Sequence, residues 1–259
     1  MRKSAGPKTL VAIPVYNELK YVEHVLDKVR RFHDHILFVD DGSDDGTAEL
    51  LAGHDDIQLV RHDRNRGYGQ SIIDAFNYAD RHRYDWVITM DCDEQHEPEM
   101  IPEFKRLIAS DRWDLISGSR YIQTRTDDDL PPGDRRAINQ TITAALNDLF
   151  HLGITDAFCG FKAHRVGSMV SLGLDETGYA FPLQLWPRVA RAGLRLTEIA
   201  VRLIYNDPTR HFGGDLDDAQ KRLRHYLDVL EREVQRPTSA TLMEPGSTDV
   251  VESPCCCHE

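Results

Sequence analysis

Two aspartates stand one residue apart directly after an apolar, β-branched stretch of the sequence. The stretch 86–90 has the composition of a buried strand, and Asp91 and Asp93 follow it. Open α/β sheets bind their ligands beyond the carboxyl ends of the strands, so these carboxylates would lie at a ligand-binding edge. Paired carboxylates suit a hard divalent cation that is shared with the phosphates of a substrate. The pattern therefore predicts a metal site beside a phosphorylated ligand.

A second acidic pair ends another apolar segment. Asp40 and Asp41 follow the segment 35–39 in the same way. A single Asp-x-Asp is usually solvated surface. Two acidic pairs at one sheet edge would repel each other unless a cation or a hydrogen-bond donor lay between them. Their combination therefore indicates a functional site.

Three arginines form a second set of candidate residues. Arg120 follows a predicted strand, Arg135 begins a predicted helix, and Arg210 lies in a polar segment. Guanidinium groups bind phosphate oxygens through two parallel hydrogen bonds, although an isolated arginine is usually solvated. Asn139, four residues after Arg135, would face the same side of that helix.

The composition limits the class of protein. The chain has 259 residues, of which 41% are hydrophobic, and a formal net charge of −12. An acidic chain is a poor general binder of nucleic acid, so no nucleic-acid partner is expected. No apolar run reaches the roughly 18 residues of a membrane span. The five cysteines suggest no disulfide framework, and the adjacent cysteines at 255–257 lack zinc-site spacing, so a cytoplasmic location is expected.

Strands and helices alternate along the chain with short turns between them. This order predicts an α/β fold with a mostly parallel sheet flanked by helices. Strands are expected at 9–14, 35–39, 57–61, 86–90, 113–117 and 194–205, and helices at 19–32, 48–51, 71–82, 98–109, 134–150, 181–192 and 216–234. Ser43 or Asp44 is expected to cap the helix at 48–51.

The expected organisation is one domain with short additions. A polar tail at 1–8 precedes the domain at 9–212, and an amphipathic helix at 213–235 and a disordered tail at 236–259 follow it. The segment 121–133 contains several Asp, Thr and Pro residues and is expected to be a mobile loop that closes over a ligand.

Several ordered motifs resemble those of family 2 glycosyltransferases of the GT-A fold. They are Pro14-Val15-Tyr16-Asn17-Glu18, the acidic stretch at 39–47, Asn65-Arg66-Gly67-Tyr68-Gly69 and Asp91-Cys92-Asp93-Glu94-Gln95-His96. The stretches 118–121, 156–162 and 178–181 extend the similarity to the dolichyl-phosphate mannosyltransferase-like branch. The resemblance covers roughly residues 9–212 and implies a Rossmann-like GT-A sheet.

The resemblance also implies a donor site for a nucleotide diphosphate sugar. The implied base and ribose residues are Pro14, Tyr16, Glu18, Asp41, Gly42 and Ser43. An aspartate can accept the N–H donors of a uracil or guanine edge. Asp91 and Asp93 would bind Mg²⁺ or Mn²⁺ with the donor diphosphate, and Gln95 would complete this corner. For Tyr16, an ordinary packed aromatic is the alternative.

The resemblance also concerns the three arginines Arg120, Arg135 and Arg210. In the same branch, arginines at these positions bind the acceptor phosphate and the diphosphate. The resemblance therefore implies catalytic roles for Asp93, Arg120 and Arg210, and acceptor binding by Arg135, Asn139 and Arg210. Arg136 competes with Arg135 for this role.

The acceptor is expected to be a polyprenyl phosphate at a membrane surface, where the enzyme could be peripheral on the inner face. The segment 178–184 lacks the carboxylate base that a hydroxyl acceptor requires, whereas a phosphate monoester is already largely ionised. Asp175 and Glu176 lie close enough in sequence to keep a hydroxyl of a glycan or small molecule as an alternative. Gln184 and Cys159 also replace the glutamate and serine that the branch usually has.

The expected reaction is an inverting hexosyl transfer from a donor of the GDP-mannose or UDP-glucose type. A catalytically inactive sugar-nucleotide-binding protein is the alternative from another class. A nucleotidyltransferase is disfavoured because Pro14–Glu18 occupies the place of a basic triphosphate loop. A dinucleotide oxidoreductase is disfavoured because no G-x-G-x-x-G follows the first strand.

Overall fold

A seven-stranded sheet runs through the protein, which a computed structural model describes for residues 6–123, 126, 128–205 and 213–237. Its strands are β1 (Thr9–Val15), β2 (Ile36–Asp40), β3 (Gln58–Arg61), β4 (Trp86–Thr89), β5 (Leu115–Ser119), β6 (Lys162–Arg165) and β7 (Leu196–Ala200). Their order across the sheet is β3-β2-β1-β4-β6-β5-β7. All pairs are parallel except those that β6 makes with β4 and β5.

The strand order reverses at β1, which lies between β2 and β4. The chain moves outward from β1 through β2 to β3 and then returns to place β4 on the other side of β1. Ligands of open α/β sheets bind beyond the carboxyl ends of the strands at such a reversal. The turns that contain Asp41 and Asp91 follow β2 and β4 at this edge.

Helices cover both faces of the sheet. They are α1 (Val22–Arg30), α2 (Thr47–Ala52), α3 (Tyr68–Arg81), α4 (Ile101–Ile108), α5 (Gly133–Phe150), α6 (Val166–Ser171), α7 (Phe181–Arg191) and α8 (Ala219–Gln235). Short 3₁₀ turns at Pro98–Met100 and Gly214–Asp217 precede α4 and α8. No helix in the described part of the chain is long and apolar enough to cross a membrane.

Alternation along β1 shows how the core divides into two layers. Leu10 and Ala12 pack with the layer that contains α3, α5 and α7, whereas Val11 and Ile13 pack with α1 and α4 on the other face. Because both faces are covered, the central strands are continuously apolar, which is why the sequence predicts them well.

The predicted α/β sheet is confirmed, but one strand and one helix were missed. Strand β6 and helix α6 occupy 162–171, where no element was predicted. The sequence of β6 is Lys-Ala-His-Arg, which reads as polar although its first three residues are buried. The predicted strand at 194–205 is a strand only over Leu196–Ala200.

The predicted cap of α2 is wrong. Helix α2 begins at Thr47, and Gly46 precedes it in a left-handed conformation with φ of 98°. Asp45 accepts hydrogen bonds from the backbone N–H and the hydroxyl of Thr47, at 2.9 and 2.6 Å. Ser43 instead accepts from the backbone N–H of Asn17, because the turn before α2 is longer than the sequence suggested.

The C-terminal amphipathic helix is confirmed as α8, which packs on α5 and α7. Asp218 caps it by accepting from the backbone N–H of Lys221 at 2.9 Å. Near its other end, the buried Glu233 accepts from Arg188 at 2.9 Å and from Gln184 at 2.9 Å. Arg188 and Gln184 both belong to α7, so these buried bonds fix α8 against it.

Some predicted features lie outside the described residues. These are Arg210, residues 1–5 of the polar tail, residues 238–259 of the tail predicted to be disordered, which include the cysteines at 255–257, and residues 124, 125 and 127 of the predicted loop. Where 121–132 is described, it contains no helix or strand. Its mobility remains a prediction. Cys92 and Cys159 are buried free thiols.

A histidine is buried on the face of β6 that packs under α3. The ring of His164 lies edge-on to Phe76 of α3, with 4.9 Å between the ring centroids. Burial, together with the nearby Lys162 ammonium, lowers the pKa of His164 to about 3. The folded protein therefore holds this ring neutral at ordinary pH.

We predict that His164 makes the fold sensitive to acid. Below pH 6.5 an unfolded chain protonates this histidine, whereas the folded protein does so only near pH 3, so stability falls through this window. One such group lowers the free energy of unfolding by up to about 1.4 kcal/mol for each pH unit of this window. Between pH 6.5 and about pH 4.5, the free energy of unfolding of His164→Gln should therefore fall by roughly 1–3 kcal/mol less than that of wild type.

Urea unfolding at both pH values measures this difference. Every other histidine is the same in both proteins, so the difference isolates His164. The exposed His82 provides a matched control, and His82→Gln should follow wild type. Equal acid losses in wild type and His164→Gln contradict the prediction.

Candidate active site

A cavity of about 570 Å³ opens at the carboxyl edge of the sheet, beside β1 and β4. It brings together most of the residues that the sequence singled out. Those that line it are Pro14, Tyr16, Glu18, Asp41, Asp91, Asp93, Gln95, Arg120, Arg135 and Asn139. Gly42 and Ser43 are outside this lining and belong to a separate pocket beside His62.

Asp41 fixes the turn that forms one wall of the cavity. Its carboxylate is 4% exposed and accepts from the backbone N–H groups of Arg66 and Gly67 at 2.7 and 2.8 Å. A ring nitrogen of His62 lies 2.6 Å from the same carboxylate. These contacts use three of its roughly four lone-pair sites. Asp41 therefore holds the turn before α3 against β2.

Gly42 allows this turn to approach β2 so closely. Its φ is +78°, and an added Cβ would lie 2.6 Å from the Cα of Arg64. A larger residue would be strained and would also collide with the backbone of the turn. Gly42 thus shapes the cavity indirectly.

Asp91 lies against a glycine from the opposite wall. An added Cβ on Gly160 would be 2.8 Å from Oδ1 of Asp91 and closer still to Oδ2. The backbone N–H of Asp91 donates to Nδ1 of His96 at 3.0 Å, which places the ring proton on Nε2, 3.8 Å from Oδ2 of Asp91. Burial lowers the pKa of His96 to about 4, so the ring is neutral.

Tyr68, the first residue of α3, is the other neighbour of Asp91. Burial, and then the negative charge of Asp91, raise the pKa of Tyr68 well above its usual range. Its ring stacks on Tyr179, with centroids 5.9 Å apart. Tyr68 and Tyr179 both line the cavity. Neither tyrosine was assigned a role from the sequence, although both lie in motifs that resemble the family.

The acidic corner fits a divalent cation that also needs ligands from a substrate. Asp91 and Asp93 both line the cavity, and Oδ1 of Asp93 accepts from the backbone N–H of Gln95 at 3.0 Å. Within the described ranges, no group of three His, Cys, Asp or Glu side chains is placed to hold a metal. Mg²⁺ usually takes one or two carboxylates together with substrate phosphates and water. Two carboxylates are therefore a suitable partial ligand set.

A buried carboxylate organises the basic side of the cavity. Asp156 is 0% exposed and binds the Arg120 guanidinium through two hydrogen bonds of 2.7 and 2.9 Å. It also accepts from the Asn139 amide at 2.7 Å. Burial alone would raise the pKa of Asp156, but the Arg120 charge holds it well below the usual range. Arg120 and Asn139 are thus brought together through a residue to which no role was assigned from the sequence.

Arg135 rather than Arg136 lines the cavity. Arg135 donates to the hydroxyl of Tyr205, whereas the Arg136 guanidinium lies 3.5 Å from the ring centroid of Tyr121. Both arginines are in the first turn of α5, and the sequence does not show which of them faces the cavity.

Two further basic residues of the cavity were missed. Arg222 of α8 is buried and donates to Asp134 at 2.6 Å and to the Leu216 carbonyl at 2.7 Å. Arg222 precedes Tyr226, another lining residue, by one helical turn. The signal in the sequence that could have identified Arg222 is therefore a basic residue on the apolar face of α8. Lys162 of β6 is also buried and lines the cavity.

The charges of the lining are therefore divided. Acidic side chains gather beside β1, β2 and β4, and basic side chains come from β6, α5, α8 and the turn after β5. The acidic members are Glu18, Asp41, Asp91 and Asp93, and the basic members are Arg120, Arg135, Lys162 and Arg222. Apolar side chains such as Phe158 and Leu185 complete the walls. This arrangement suits a cation-bound diphosphate next to a second anionic group.

We predict that Gly160→Ala damages the acidic corner without unfolding the protein. The new methyl group would overlap Asp91 and displace its carboxylate. Mn²⁺-dependent binding of GDP or UDP should weaken about tenfold or more, by analogy with the loss of one metal-orienting contact. Calorimetry measures the binding, and circular dichroism checks the fold.

Gly167→Ala is the matched control, because nothing lies within 4 Å of its added Cβ. This variant should bind nucleotide as wild type does. Equal nucleotide affinity in Gly160→Ala and wild type would show that the Asp91 position does not matter for binding.

Comparison with known proteins identifies the family of the chain. The model of the family described as "Glycosyl transferase family 2" matches residues 10–170, more than half of the chain. A polyprenol monophosphomannose synthase of Mycolicibacterium smegmatis is 32% identical over 206 residues, which cover 75% of this chain and 76% of that protein. An undecaprenyl-phosphate mannosyltransferase of Micrococcus luteus is 29% identical over 223 residues, covering 82% and 90% respectively.

Solved structures share the architecture. Glucosyl-3-phosphoglycerate synthase from Mycobacterium tuberculosis, in complex with Mn²⁺, UDP and phosphoglyceric acid, matches with a TM-score of 0.67. The match covers 90% of this chain and 81% of that chain at 19% identity, which supports the fold alone. Together with the family match, these similarities confirm the family and the fold that the ordered motifs predicted. The chain belongs to glycosyltransferase family 2, as a GT-A fold hexosyltransferase of the dolichyl-phosphate mannosyltransferase-like branch.

Proposed function

We propose that the protein transfers a hexose from a nucleotide diphosphate sugar to a polyprenyl phosphate, with inversion at the sugar C1. The donor is of the GDP-mannose or UDP-glucose type, and the reaction depends on Mg²⁺ or Mn²⁺. One observation carries the proposal. A single cavity joins the Asp91 and Asp93 carboxylates to a basic wall organised by Asp156.

The donor half follows from the acidic corner. Asp91 and Asp93 would hold the cation, which when bound acts as a Lewis acid toward the leaving diphosphate. Pro14, Tyr16 and Glu18 follow or end β1 on the same cavity wall. Asp41 keeps about one lone-pair site beyond its contacts with the chain, which would accept one N–H of the base. The names of the two mannosyl-transferring relatives favour mannose.

The acceptor half follows from the basic wall. The Arg120 guanidinium donates two N–H groups to Asp156 and has further N–H groups that could donate to a phosphate. Arg135, Asn139 and Arg222 line the same side. Arg210, assigned here by resemblance, lies outside the described residues. An ionised acceptor phosphate would bind here, and its oxygen would attack C1 as the bond from C1 to the diphosphate oxygen breaks.

A phosphate acceptor also agrees with the lack of a general base on the basic side. Among the described lining residues, the acidic side chains all belong to the donor half. Asp175 and Glu176, which kept a hydroxyl acceptor open, do not line the cavity. Asp175 instead accepts from Gln184 at 2.7 Å and Arg188 at 2.8 Å, and Glu176 accepts from the backbone N–H of Gly178 at 3.2 Å. A phosphate oxygen needs no base, because its proton is already largely lost near neutral pH.

The acceptor would place the enzyme at a membrane surface while its polyprenyl chain stays in the lipid. The described helices offer no membrane span, so peripheral contact on the cytoplasmic face is the proposed arrangement.

We predict that Asp93→Asn lowers kcat/KM for sugar transfer by about 100-fold or more. The substitution keeps the side-chain volume but removes a charge that would bind the cation, so cation-dependent stabilisation of the leaving diphosphate is lost. Labelled GDP-mannose and UDP-glucose with Mn²⁺ and a polyprenyl phosphate provide the assay. Calorimetry with the same donors measures Mn²⁺-dependent binding, which should weaken in parallel.

Asp80→Asn, an exposed change on α3, is the control and should behave as wild type. Unchanged turnover in Asp93→Asn contradicts the metal assignment. Donor binding without transfer by the wild type, to any acceptor or to water, would instead indicate an inactive sugar-nucleotide-binding protein.

A further inference from the structure

The cavity continues behind Asp91 into a polar recess between the sheet and α3. Its polar walls are Thr89 of β4, Lys162 and His164 of β6, and Ser71 of α3, all of which line the cavity. Thr89 pairs directly with Lys162 across the sheet, and His164 is two residues further along the same face. Each of the four is at most 4% exposed. We call these four residues the recess.

Two polar atoms of the recess have no hydrogen-bond partner. They are Oγ of Ser71 and Nδ1 of His164, each in a side chain that is 1% exposed. Buried polar groups without a partner are uncommon, because each costs about 1–3 kcal/mol of desolvation. Two of them on one cavity wall point to a ligand that completes their bonding.

The hydrogen bonds around Thr89 define what His164 needs. The Thr89 hydroxyl donates to the Gly160 carbonyl at 2.8 Å, so its only hydrogen is used. Nε2 of His164 lies 3.3 Å from the same hydroxyl and must therefore donate to it. Nδ1 is then the unprotonated nitrogen, an acceptor that lacks a donor. The neutral ring, with its pKa lowered to about 3 by burial, agrees with this tautomer.

The recess thus combines donors with an acceptor. Lys162 donates one N–H to the Cys159 carbonyl and carries three in all, and Ser71 can donate or accept. A phosphate or a carboxylate would accept from Lys162 and Ser71 but would leave Nδ1 of His164 without a donor. An apolar group would satisfy none of them. Hydroxyl groups, which donate and accept at once, match the whole set.

The position of the recess identifies the hydroxyl-bearing group. Gly160 separates it from the acidic corner, because its carbonyl accepts from Thr89 and its Cα faces Asp91. We propose that the recess binds hydroxyl groups of the hexose in the nucleotide sugar, with Ser71 and His164 as specificity-determining residues. This assignment rests on the proposed function, in which the donor diphosphate is held at Asp91 and Asp93.

Ser71→Ala tests the assignment with little risk to the fold. Calorimetry with Mn²⁺ compares GDP with GDP-mannose, and UDP with UDP-glucose, in wild type and variant. Affinity for the sugar nucleotide that wild type prefers should fall about 3- to 10-fold, as expected for one hydrogen bond, while affinity for its nucleotide diphosphate stays the same. KM for the donor should rise by the same factor.

The free variant should be as stable as wild type toward urea, or more stable, because the Ser71 hydroxyl has no partner to lose. Ser110→Ala, an exposed serine whose hydroxyl donates to the Leu107 carbonyl, is the control and should leave both affinities unchanged. Donors that lack single hexose hydroxyls identify the bound hydroxyl. The partner of Ser71 is the hydroxyl whose removal weakens donor binding to wild type but leaves donor binding to Ser71→Ala unchanged.

Three outcomes overturn the assignment. Equal weakening of the nucleotide diphosphate and the sugar nucleotide would mean that Ser71 acts on the nucleotide or the fold. Unchanged binding of both, with a less stable free protein, would mean that the recess holds a structural water. In a third outcome, wild type binds the nucleotide diphosphate at least as tightly as any sugar nucleotide, and removing hexose hydroxyls changes nothing. No hexose would then enter the recess. Failure of wild type to bind any of the four ligands contradicts the proposed function itself.

Discussion

The basic side of the cavity depends on one buried ion pair, between Asp156 and Arg120. Asp156 is fully buried and is held in turn by the backbone N–H of Phe158 at 3.1 Å. Glu198 of β7 accepts from its backbone N–H at 3.2 Å, so the turn before β6 is tied to the far edge of the sheet. Removing one partner of such a pair leaves an uncompensated charge and costs about 3–5 kcal/mol. Because this cost is large, the Arg120 guanidinium keeps one position in the cavity wall.

The acidic side is built on the same physical basis but serves a different end. The carboxylate of Asp41 is engaged by three donors of the protein itself, which makes it a fixed part of the wall. Asp91 keeps its position in the cavity wall because Gly160, which lies against it, has no side chain. The acidic side therefore combines a carboxylate that is fixed by the chain, Asp41, with Asp91 and Asp93, to which the proposed function assigns the cation. The division of charge across one cavity follows from the topology, which brings turns from distant parts of the chain to one edge.

Much of the fold could be predicted from the sequence, because the central strands are apolar on both faces and end in acidic turns. Strand β6 could not, since its buried residues include the polar Lys162 and His164, which lie against Trp186 of α7 and Phe76 of α3. The acidic corner of the cavity was predictable for a related reason, because Asp91 and Asp93 follow β4 closely in sequence. The choice of Arg135 over Arg136, the role of Asp156 and the contribution of Arg222 required tertiary structure. Each depends on which elements face each other and leaves no local pattern.

The central claim is that a cation-bound donor diphosphate and an acceptor phosphate share this cavity. The most direct measurement is the product formed by the full-length protein with Mn²⁺, a labelled nucleotide sugar, and an equimolar mixture of a polyprenyl phosphate and the corresponding polyprenol. Phosphorus and proton NMR identify the oxygen that receives the hexose and the configuration at C1. The account predicts hexose on the phosphate oxygen with inverted configuration. Hexose on the polyprenol hydroxyl, or a product with retained configuration, would contradict it.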